Sequence, residues 1–213
     1  MDPELQKTIK QEGRHVLDEL VRNGNLEMVL FDLDGTLIHS GVPFGPYRDR
    51  LGISGDILSG IGELPEEMQA EKWAIIMEYE RELGLHAKPA PGAQNLLAFL
   101  RRKGIRTGVI TRSTRDHAER MLTDHGMTVD AFIGRGDSRP KPHPEGIHML
   151  LDRFGVGSER SIMVGDFIWD LLAARNAGVL SILVMLEHSR PHVGEADVVV
   201  DSLEELLDIL RSE

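Results

Sequence analysis

The stretch Met28-Val29-Leu30-Phe31-Asp32-Leu33-Asp34-Gly35-Thr36 decides the fold of this chain. Its first four residues are all apolar, which is typical of a strand buried on both faces in the centre of a parallel sheet. The apolar run then ends abruptly in Asp32 and Asp34. Parallel sheets bind ligands at the carboxyl ends of their strands, and these two aspartates follow such an end. We therefore expect a functional site at this edge of a sheet.

From about residue 92 onward, helical and strand-like patterns alternate along the chain. The strand patterns fall at 105–110, 131–133, 161–164, 180–184 and 197–200, and helical patterns separate them and follow the last one. Such alternation predicts right-handed crossovers and a parallel sheet with helices on both faces. The predicted fold class is α/β, with a Rossmann-like, doubly wound parallel sheet.

Two segments depart from this alternation and predict the domain organisation. Residues 5–22 have the apolar spacing of an amphipathic helix, and residues 41–88 include a second helical pattern before the hinge-like Lys88-Pro89-Ala90-Pro91-Gly92. We predict a helical extension over 1–25, a core domain formed by 26–40 and 89–213, and a small α-helical cap over 41–88. We favour packing of the extension on the core domain; in the alternative it binds a second subunit, so the protein is a monomer or a homodimer.

Composition excludes several classes of function. The 213 residues include 24 basic and 35 acidic side chains, for a formal net charge of −11, which disfavours a nucleic-acid partner. There are no cysteines, so disulfides, thiolate metal sites and a cysteine nucleophile are excluded. The longest apolar stretch, 179–186, is far short of the ~20 residues that cross a bilayer. We expect a cytoplasmic protein with no membrane partner.

Further chemistry-bearing residues follow other strand patterns: Thr111 comes after 105–110, Lys141 stands between two prolines after 131–133, and Asp166 and Asp170 come after 161–164. Together with Asp32 and Asp34, several carboxylates should converge. Two unit charges ~4 Å apart repel by roughly 4 kcal/mol at an effective dielectric constant of 20, so the cluster needs a cation, a proton or a basic side chain. Oxygen-only ligands suit Mg²⁺.

The same residues, in this order, resemble the four motifs of the haloacid dehalogenase-like superfamily. The matching segments are Asp32-Leu33-Asp34-Gly35-Thr36, Val109-Ile110-Thr111, Lys141-Pro142-His143-Pro144 and Gly165-Asp166-Phe167-Ile168-Trp169-Asp170. A helical cap between the first and second motifs resembles the phosphoglycolate-phosphatase and phosphomutase branch. The chain departs from the family pattern at Arg112, where Asn is more frequent, and at Phe167, which replaces a small polar residue.

The resemblance implies a Mg²⁺-dependent phosphatase that hydrolyses phosphate monoesters of small metabolites. Asp32 would form an aspartyl-phosphate, and Asp34 would act as general acid and base. The implied Mg²⁺ ligands are the carboxylates of Asp32 and Asp166 and the main-chain carbonyl of Asp34, while Asp170 supports the hydrated shell of the metal or orients Lys141. The implied groups that bind the phosphoryl oxygens are Lys141, Thr111 and the amides of Gly35 and Arg112.

Some alternatives stay open at this point. Arg112 either contributes only its amide, with its side chain pointing outward, or uses its guanidinium to bind a second anionic group of the substrate. A phosphomutase of the β-phosphoglucomutase type would share every motif. A non-catalytic phosphate-sensing or partner-binding module is also conceivable, although such derivatives usually lose a catalytic carboxylate or the lysine, and this chain keeps them all.

Overall fold

The computed structural model describes the backbone of residues 3–212 and the side chains of residues 12–212. Its elements are, in chain order, α1 (Pro3–Arg22), β1 (Met28–Phe31), β2 (Ile38–His39), α2 (Gly45–Leu51), α3 (Ile57–Gly62), α4 (Glu66–His86), β3 (Lys88–Pro89), α5 (Ala93–Lys103), β4 (Arg106–Ile110), α6 (Arg115–Asp124), β5 (Ala131–Ile133), α7 (Glu145–Phe154), β6 (Ser161–Gly165), α8 (Ile168–Ala177), β7 (Leu180–Val184), β8 (Val198–Val200) and α9 (Leu203–Arg211). Short 3-10 turns cover Ser158–Arg160 and Glu187–Glu195. The predicted α/β fold class is confirmed.

Within the described residues, six strands form one sheet in the order β5-β4-β1-β6-β7-β8, and every pairing in it is parallel. The chain runs from β1 outward to β4 and β5, then returns to the other side of β1 and continues through β6, β7 and β8. The strand order therefore reverses at β1 and β6. Open α/β sheets bind ligands at such a switch point, outside the carboxyl ends of the strands.

Strand β1 is the buried centre of the sheet, and all four of its side chains are inaccessible to solvent. Met28 and Leu30 belong to an apolar cluster with residues of α7 and α8. Val29 and Phe31 point to the opposite face, because side chains alternate along a strand. Both faces of β1 are therefore covered by apolar side chains. The first polar side chain, that of Asp32, comes only after the strand has ended.

The register of the strands brings three chain segments out of the sheet at one level. Phe31, the last residue of β1, is opposite Val109 of β4 and Val164 of β6. The main-chain N–H of Asp32 still donates to the carbonyl of Val164, at 2.9 Å. Each of these strands is followed within two residues by a side chain that the sequence predicts for the site.

Helix α1 packs on the outer strand β8 of the sheet. Leu17, Leu20 and Val21 of its predicted apolar face are buried. Gly13 is also buried, and an ideal Cβ at this position would lie 2.3 Å from the main-chain oxygen of Asp197, just before β8. Helix α1 therefore lies as close to the main chain of Asp197 as a glycine permits. The predicted apolar positions 5 and 9 lie outside the described side chains.

The described structure divides into two compact units, residues 1–38 with 89–213 and residues 39–88. The second unit has its own small apolar core, built from α2, α3 and α4. Arg50 of α2 makes a two-point contact with Glu78 of α4, at 2.9 and 2.7 Å, so this arginine is paired within the unit.

Among the described residues, none of the helices has the length and apolar content that a bilayer crossing requires.

Replacing Gly13 by alanine tests the close packing of α1 on β8. We expect Gly13→Ala to lower the free energy of unfolding by about 1–3 kcal/mol, because the new methyl group would overlap main-chain atoms that cannot rotate away. Urea denaturation measures this change. Alanine is the better helix former by about 1 kcal/mol, so intrinsic propensity acts in the opposite direction.

Gly62→Ala is the matched control, because Gly62 also lies in a helix and an ideal Cβ there meets nothing within 4 Å. We expect this variant to be as stable as the parent or more stable. Equal destabilisation of the two variants would contradict the close approach at Gly13.

Candidate active site

A buried lysine occupies the centre of the carboxyl edge of the sheet. Lys141 lies in the loop between β5 and α7, and its side chain is 2% exposed. Its Nζ donates to Oδ1 of Asp32 and to Oδ1 of Asp170, at 2.5 Å in both cases. Burying an ammonium group costs several kcal/mol unless it is paired. These two carboxylates therefore make the position of Lys141 possible.

The protonation equilibria of the three groups depend on one another. Burial raises the pKa of Asp32 well above its ordinary value, although the Lys141 ammonium opposes this. Burial likewise raises the pKa of Asp170, again against the effect of Lys141. For Lys141 itself, burial would lower the pKa, but the charges of Asp170 and Asp32 outweigh burial and raise it. The lysine therefore keeps its positive charge.

Asp166, which follows β6, is held by contacts from three sides. Thr36 Oγ1 donates to its Oδ1 at 3.2 Å, and His188 Nε2 lies 2.6 Å from its Oδ2. Ser189 Oγ donates to its main-chain oxygen at 2.6 Å. Gly35 lies so close that an ideal Cβ would be 2.2 Å from Asp166 Oδ2, and its φ of +93° also favours glycine. This carboxylate is therefore fixed before any ligand binds.

Three carboxylates at this edge fit a divalent cation. Asp32, Asp166 and Asp170 each offer one oxygen atom, and these three atoms lie within 4.8 Å of one another. An all-oxygen donor set is the kind that Mg²⁺ prefers. The carboxylate of Asp34 is not part of this group, and the sequence-based interpretation assigns Asp34 a role through its main-chain carbonyl instead.

Ser113 connects two of the predicted catalytic residues. Its Oγ donates to Asp34 Oδ2 at 3.1 Å, and its main-chain N–H donates to Thr111 Oγ1 at 3.1 Å. Thr111 follows β4 and is buried. The turn after β4 therefore fixes both the Thr111 hydroxyl and the Asp34 carboxyl.

One cavity of about 150 Å³ brings most of the predicted site residues together. Its lining includes Asp32, Asp34, Thr111, Arg112, Lys141 and Asp170, and also Ser113, Phe167 and Trp169. Gly35 and Asp166 are not part of this lining, and they lie close to each other. The cavity therefore combines carboxylates, hydroxyls, a buried ammonium and a guanidinium with an aromatic wall.

The side chain of Arg112 does not point outward, contrary to one of the two sequence-based interpretations. It is half-buried, its Nη1 donates to the carbonyl of Lys141 at 2.8 Å, and its guanidinium carbon lies 5.6 Å from the ring centroid of Trp169. A carbonyl acceptor and an indole ring are both favourable neighbours for a guanidinium. These two contacts turn the side chain along the cavity wall.

Sequence reasoning missed His188 and Ser113. His188 Nε2 contacts Asp166 Oδ2, and none of the four motifs contains this histidine. The contact with Asp166 raises the pKa of the His188 imidazole, although partial burial opposes this. One available signal was position, since His188 comes four residues after the end of β7, which is the neighbour of β6.

Comparison with known protein families is consistent with this geometry. Residues 44–178 match the family model described as haloacid dehalogenase-like hydrolase. The chain belongs to this family. The haloacid dehalogenase-like resemblance drawn from the four motifs is therefore confirmed, and the protein is a hydrolase by family.

Individual relatives of this hydrolase cover nearly the whole chain. A phosphoglycolate phosphatase from Vibrio vulnificus is 29% identical over 87% of this chain and 96% of its own length. A phosphoglycolate phosphatase from Nitrosococcus oceani is 30% identical over 86% of this chain and 96% of its own. The crystal structure of a putative haloacid dehalogenase-like hydrolase from Bacteroides fragilis superposes with a TM-score of 0.66 at 24% identity, over 84% of this chain and 98% of that one. This last likeness concerns the fold alone.

Removing the buried ammonium tests the charge balance of the site. We expect Lys141→Met to destabilise the metal-free protein by about 3–5 kcal/mol near pH 7.5, because two buried carboxylates lose the cation they share. The loss should shrink as the pH falls toward 5.5. Burial already raises the pKa values of Asp32 and Asp170, so without Lys141 these groups take up protons in the folded state more readily than in the unfolded state.

Urea denaturation at the two pH values measures this effect. Lys103→Met is the control, because Lys103 is exposed at the end of α5, at the opposite edge of the sheet. Its effect should stay within about 0.5 kcal/mol at both pH values. A loss for Lys141→Met that is equally large at both pH values would rule out the shared charge balance.

Proposed function

We propose that this hydrolase is a Mg²⁺-dependent phosphatase that acts on phosphate monoesters of small metabolites through an aspartyl-phosphate on Asp32. The observation that carries the proposal is the buried Lys141, shared by Asp32 and Asp170 at a cavity that also holds Asp34 and Thr111. The curated relatives named above, which are phosphoglycolate phosphatases, support the same reaction class.

In the first step, Asp32 attacks phosphorus through a carboxylate oxygen. A bond forms between this oxygen and phosphorus, and the bond between phosphorus and the ester oxygen breaks. Asp34 donates a proton to the departing oxygen, so the alcohol leaves as a neutral molecule. Ser113 orients the Asp34 carboxyl for this transfer by donating to its Oδ2.

In the second step, water attacks the phosphorus of the aspartyl-phosphate and its proton passes to Asp34. The bond between phosphorus and Asp32 breaks, and inorganic phosphate and the free carboxylate are regenerated. Dividing one displacement into two easier ones is the usual advantage of a covalent intermediate. Asp34 returns to its starting protonation state, so the cycle balances.

The phosphoryl oxygens are held by groups fixed in advance. The Lys141 ammonium and the Thr111 hydroxyl approach from the cavity wall, and the main-chain amide of Arg112 adds a donor from the loop after β4. The amide of Gly35, which the resemblance also assigns to the phosphoryl oxygens, donates instead to the carbonyl of Ile38 at 2.8 Å. Preorganised donors stabilise the developing charge because they need not reorient during the reaction.

Four aspartates would hold the cation. Asp32 and Asp166 would bind it through carboxylates and Asp34 through its main-chain carbonyl, while Asp170 would contribute to its outer coordination and keep Lys141 in place. When bound, Mg²⁺ supplies positive charge that favours the ionised carboxylates and offsets the charge of the phosphoryl oxygens. His188 and Thr36 hold Asp166 in the orientation that this role requires.

Asp32→Asn tests the nucleophile. We expect this variant to lose at least about a thousandfold in Mg²⁺-dependent release of phosphate from p-nitrophenyl phosphate, because an amide cannot form the covalent intermediate. Circular dichroism and the melting temperature check that the fold survives.

Asp152→Asn is the control for Asp32→Asn, because Asp152 is exposed on α7, and it should keep its activity. Retention of most of the turnover in Asp32→Asn would contradict the proposed mechanism. With a sugar phosphate as substrate, isomerisation without net phosphate release would instead identify a phosphomutase.

Thermal unfolding with and without Mg²⁺ tests the metal site separately from catalysis. At a Mg²⁺ concentration 100 times its dissociation constant, binding stabilises the folded state by about 2.7 kcal/mol, which corresponds to a rise in Tm of about 5–10 °C for a chain of this size. We expect Asp166→Asn to abolish most of this rise, and Asp152→Asn to keep it. A full shift in Asp166→Asn would exclude Asp166 as a ligand.

A further inference from the structure

We propose that His188 is a positioning residue that makes the metal site selective for a small octahedral cation over Ca²⁺. This inference rests on the metal site of the proposed function and concerns the choice of cation there. Among the described residues, the group of three carboxylates that fit a divalent cation does not include His188, so the histidine acts through Asp166. What carries the inference is the way in which two neighbouring loops hold the Asp166 carboxylate.

The order of the strands places Asp166 between these two loops. Asp166 follows β6, which lies between β1 and β7 in the sheet. Thr36, in the loop after β1, donates from Oγ1 to Asp166 Oδ1 at 3.2 Å. His188, in the segment after β7, has its Nε2 2.6 Å from Asp166 Oδ2. Each oxygen of this carboxylate therefore has a partner that follows a different neighbouring strand.

The His188 contact is the stronger of the two. An ionised carboxylate can only accept hydrogen bonds, so the imidazole Nε2–H is the donor. Hydrogen bonds to a charged acceptor are shorter and stronger than bonds between neutral groups. The His188 contact is also shorter than the Thr36 contact, by the distances given above. Loss of the imidazole would therefore remove the main restraint on rotation of the Asp166 carboxylate.

Asp166 is also confined from two further directions. Ser189 is fully buried, and its Oγ donates to the main-chain oxygen of Asp166 at 2.6 Å. An ideal Cβ at Gly35 would lie 2.2 Å from Asp166 Oδ2 and 2.9 Å from Oδ1, so the carboxylate lies directly against this glycine. The main chain of Asp166 is thus fixed, and its side chain has little room to turn.

The 3-10 segment Glu187–Glu195, which carries His188, is itself anchored to the core domain. The Glu195 carboxylate accepts from Arg175 of α8 at 3.1 Å, and the main-chain carbonyl of Glu195 accepts from the same guanidinium at 3.0 Å. Val193 packs against the apolar cluster that includes Leu183 of β7. His188 therefore keeps its position although its side chain is 54% exposed.

A carboxylate that cannot turn restricts which cation fits. Mg²⁺ requires nearly ideal octahedral geometry, with oxygen ligands at about 2.0–2.1 Å. Ca²⁺ takes about six to eight oxygen ligands at about 2.3–2.6 Å in flexible geometry, and a carboxylate often gives it both oxygens. To present both oxygens to one cation, Asp166 would have to turn away from Thr36 and His188. The fixed carboxylate therefore favours Mg²⁺ over Ca²⁺.

The other two carboxylates are restricted in the same way, but by groups that catalysis needs. Asp170 accepts from Lys141 on Oδ1 and from the main-chain N–H of Phe167 on Oδ2. Asp32 accepts from Lys141 on Oδ1. Replacing Lys141 would alter the charge of the whole cavity, and a main-chain donor cannot be replaced. His188 is therefore the side chain at which the cation preference can be changed separately.

Isothermal titration of the metal-free protein, without substrate, measures the dissociation constants of Mg²⁺ and of Ca²⁺. In His188→Leu we expect the ratio of the Ca²⁺ constant to the Mg²⁺ constant to fall by about 10-fold or more. Mg²⁺ loses a fixed ligand in this variant, whereas Ca²⁺ gains a carboxylate that is free to turn. His188→Gln keeps an N–H donor of similar reach and should restore most of the ratio.

His192→Leu is the matched control. His192 lies in the same 3-10 segment, and its ring is 4.8 Å from that of Phe167, between centroids, instead of against Asp166. Its ratio should stay within about twofold of the parent value. An unchanged ratio in His188→Leu, an equal fall in His192→Leu, or an equal loss of affinity for both cations in His188→Leu would overturn the proposal.

The titration also separates this proposal from the proposed function. An unchanged ratio in His188→Leu, with Mg²⁺-dependent phosphatase activity in the parent, would refute the role of His188 and leave the phosphatase function intact. A ratio that depends on His188 in a protein without phosphatase activity would support the positioning role and refute the catalytic function. A parent protein that binds neither cation would overturn both the selectivity and the metal site.

Discussion

The carboxyl edge of the sheet depends on one buried ammonium group. Lys141 lies between Asp32 and Asp170 in a place where water does not reach any of the three side chains freely. Two neighbouring carboxylates would not both stay ionised there without a positive charge beside them, and the ammonium would not stay charged without the carboxylates. The carboxyl groups keep the ammonium charged, the ammonium opposes the effect of burial on the pKa values of both carboxyl groups, and together the three groups fix the shape of the cavity. Electrostatic catalysis requires this kind of preformed arrangement.

The order of the strands separates the strand that precedes Lys141 from the strand that precedes Asp32. Lys141 follows β5, and β4 separates β5 from β1, which carries Asp32. The lysine loop must therefore extend back across the end of β4. Two side chains hold it there: Arg112 donates to the carbonyl of Lys141 at 2.8 Å, and Asn176 of α8 donates to the carbonyl of Pro142 at 3.0 Å. Arg112 thus connects the loop after β4 to the lysine loop, and Asn176 connects helix α8 to the same loop. Both contacts hold the lysine loop in one conformation.

The sequence predicts those parts of the protein that follow from strand periodicity. An apolar run that ends in two aspartates defines a buried strand and its functional edge, and the later strand patterns locate the other motifs at the same edge. Periodicity says nothing about contacts made inside loops. His188 and Ser113 reach Asp166 and Asp34 only because of how their loops fold, and the direction of the Arg112 side chain depends on the carbonyl and ring beside it. The short helices α2 and α3, of seven and six residues, are likewise too brief and too rich in glycine for a clear helical pattern.

Asp170 has a consequence beyond the charge balance of the cavity. Its Oδ1 accepts from Lys141, while its Oδ2 accepts from the main-chain N–H of Phe167 at the start of helix α8, at 3.1 Å. One carboxylate therefore belongs both to the active-site charges and to the first turn of a helix. Occupancy of the cavity and fraying of that turn are then linked equilibria, and each biases the other by the same free energy. The amide protons at the start of α8 become a natural reporter of what the cavity contains, readable by hydrogen exchange even when no reaction takes place.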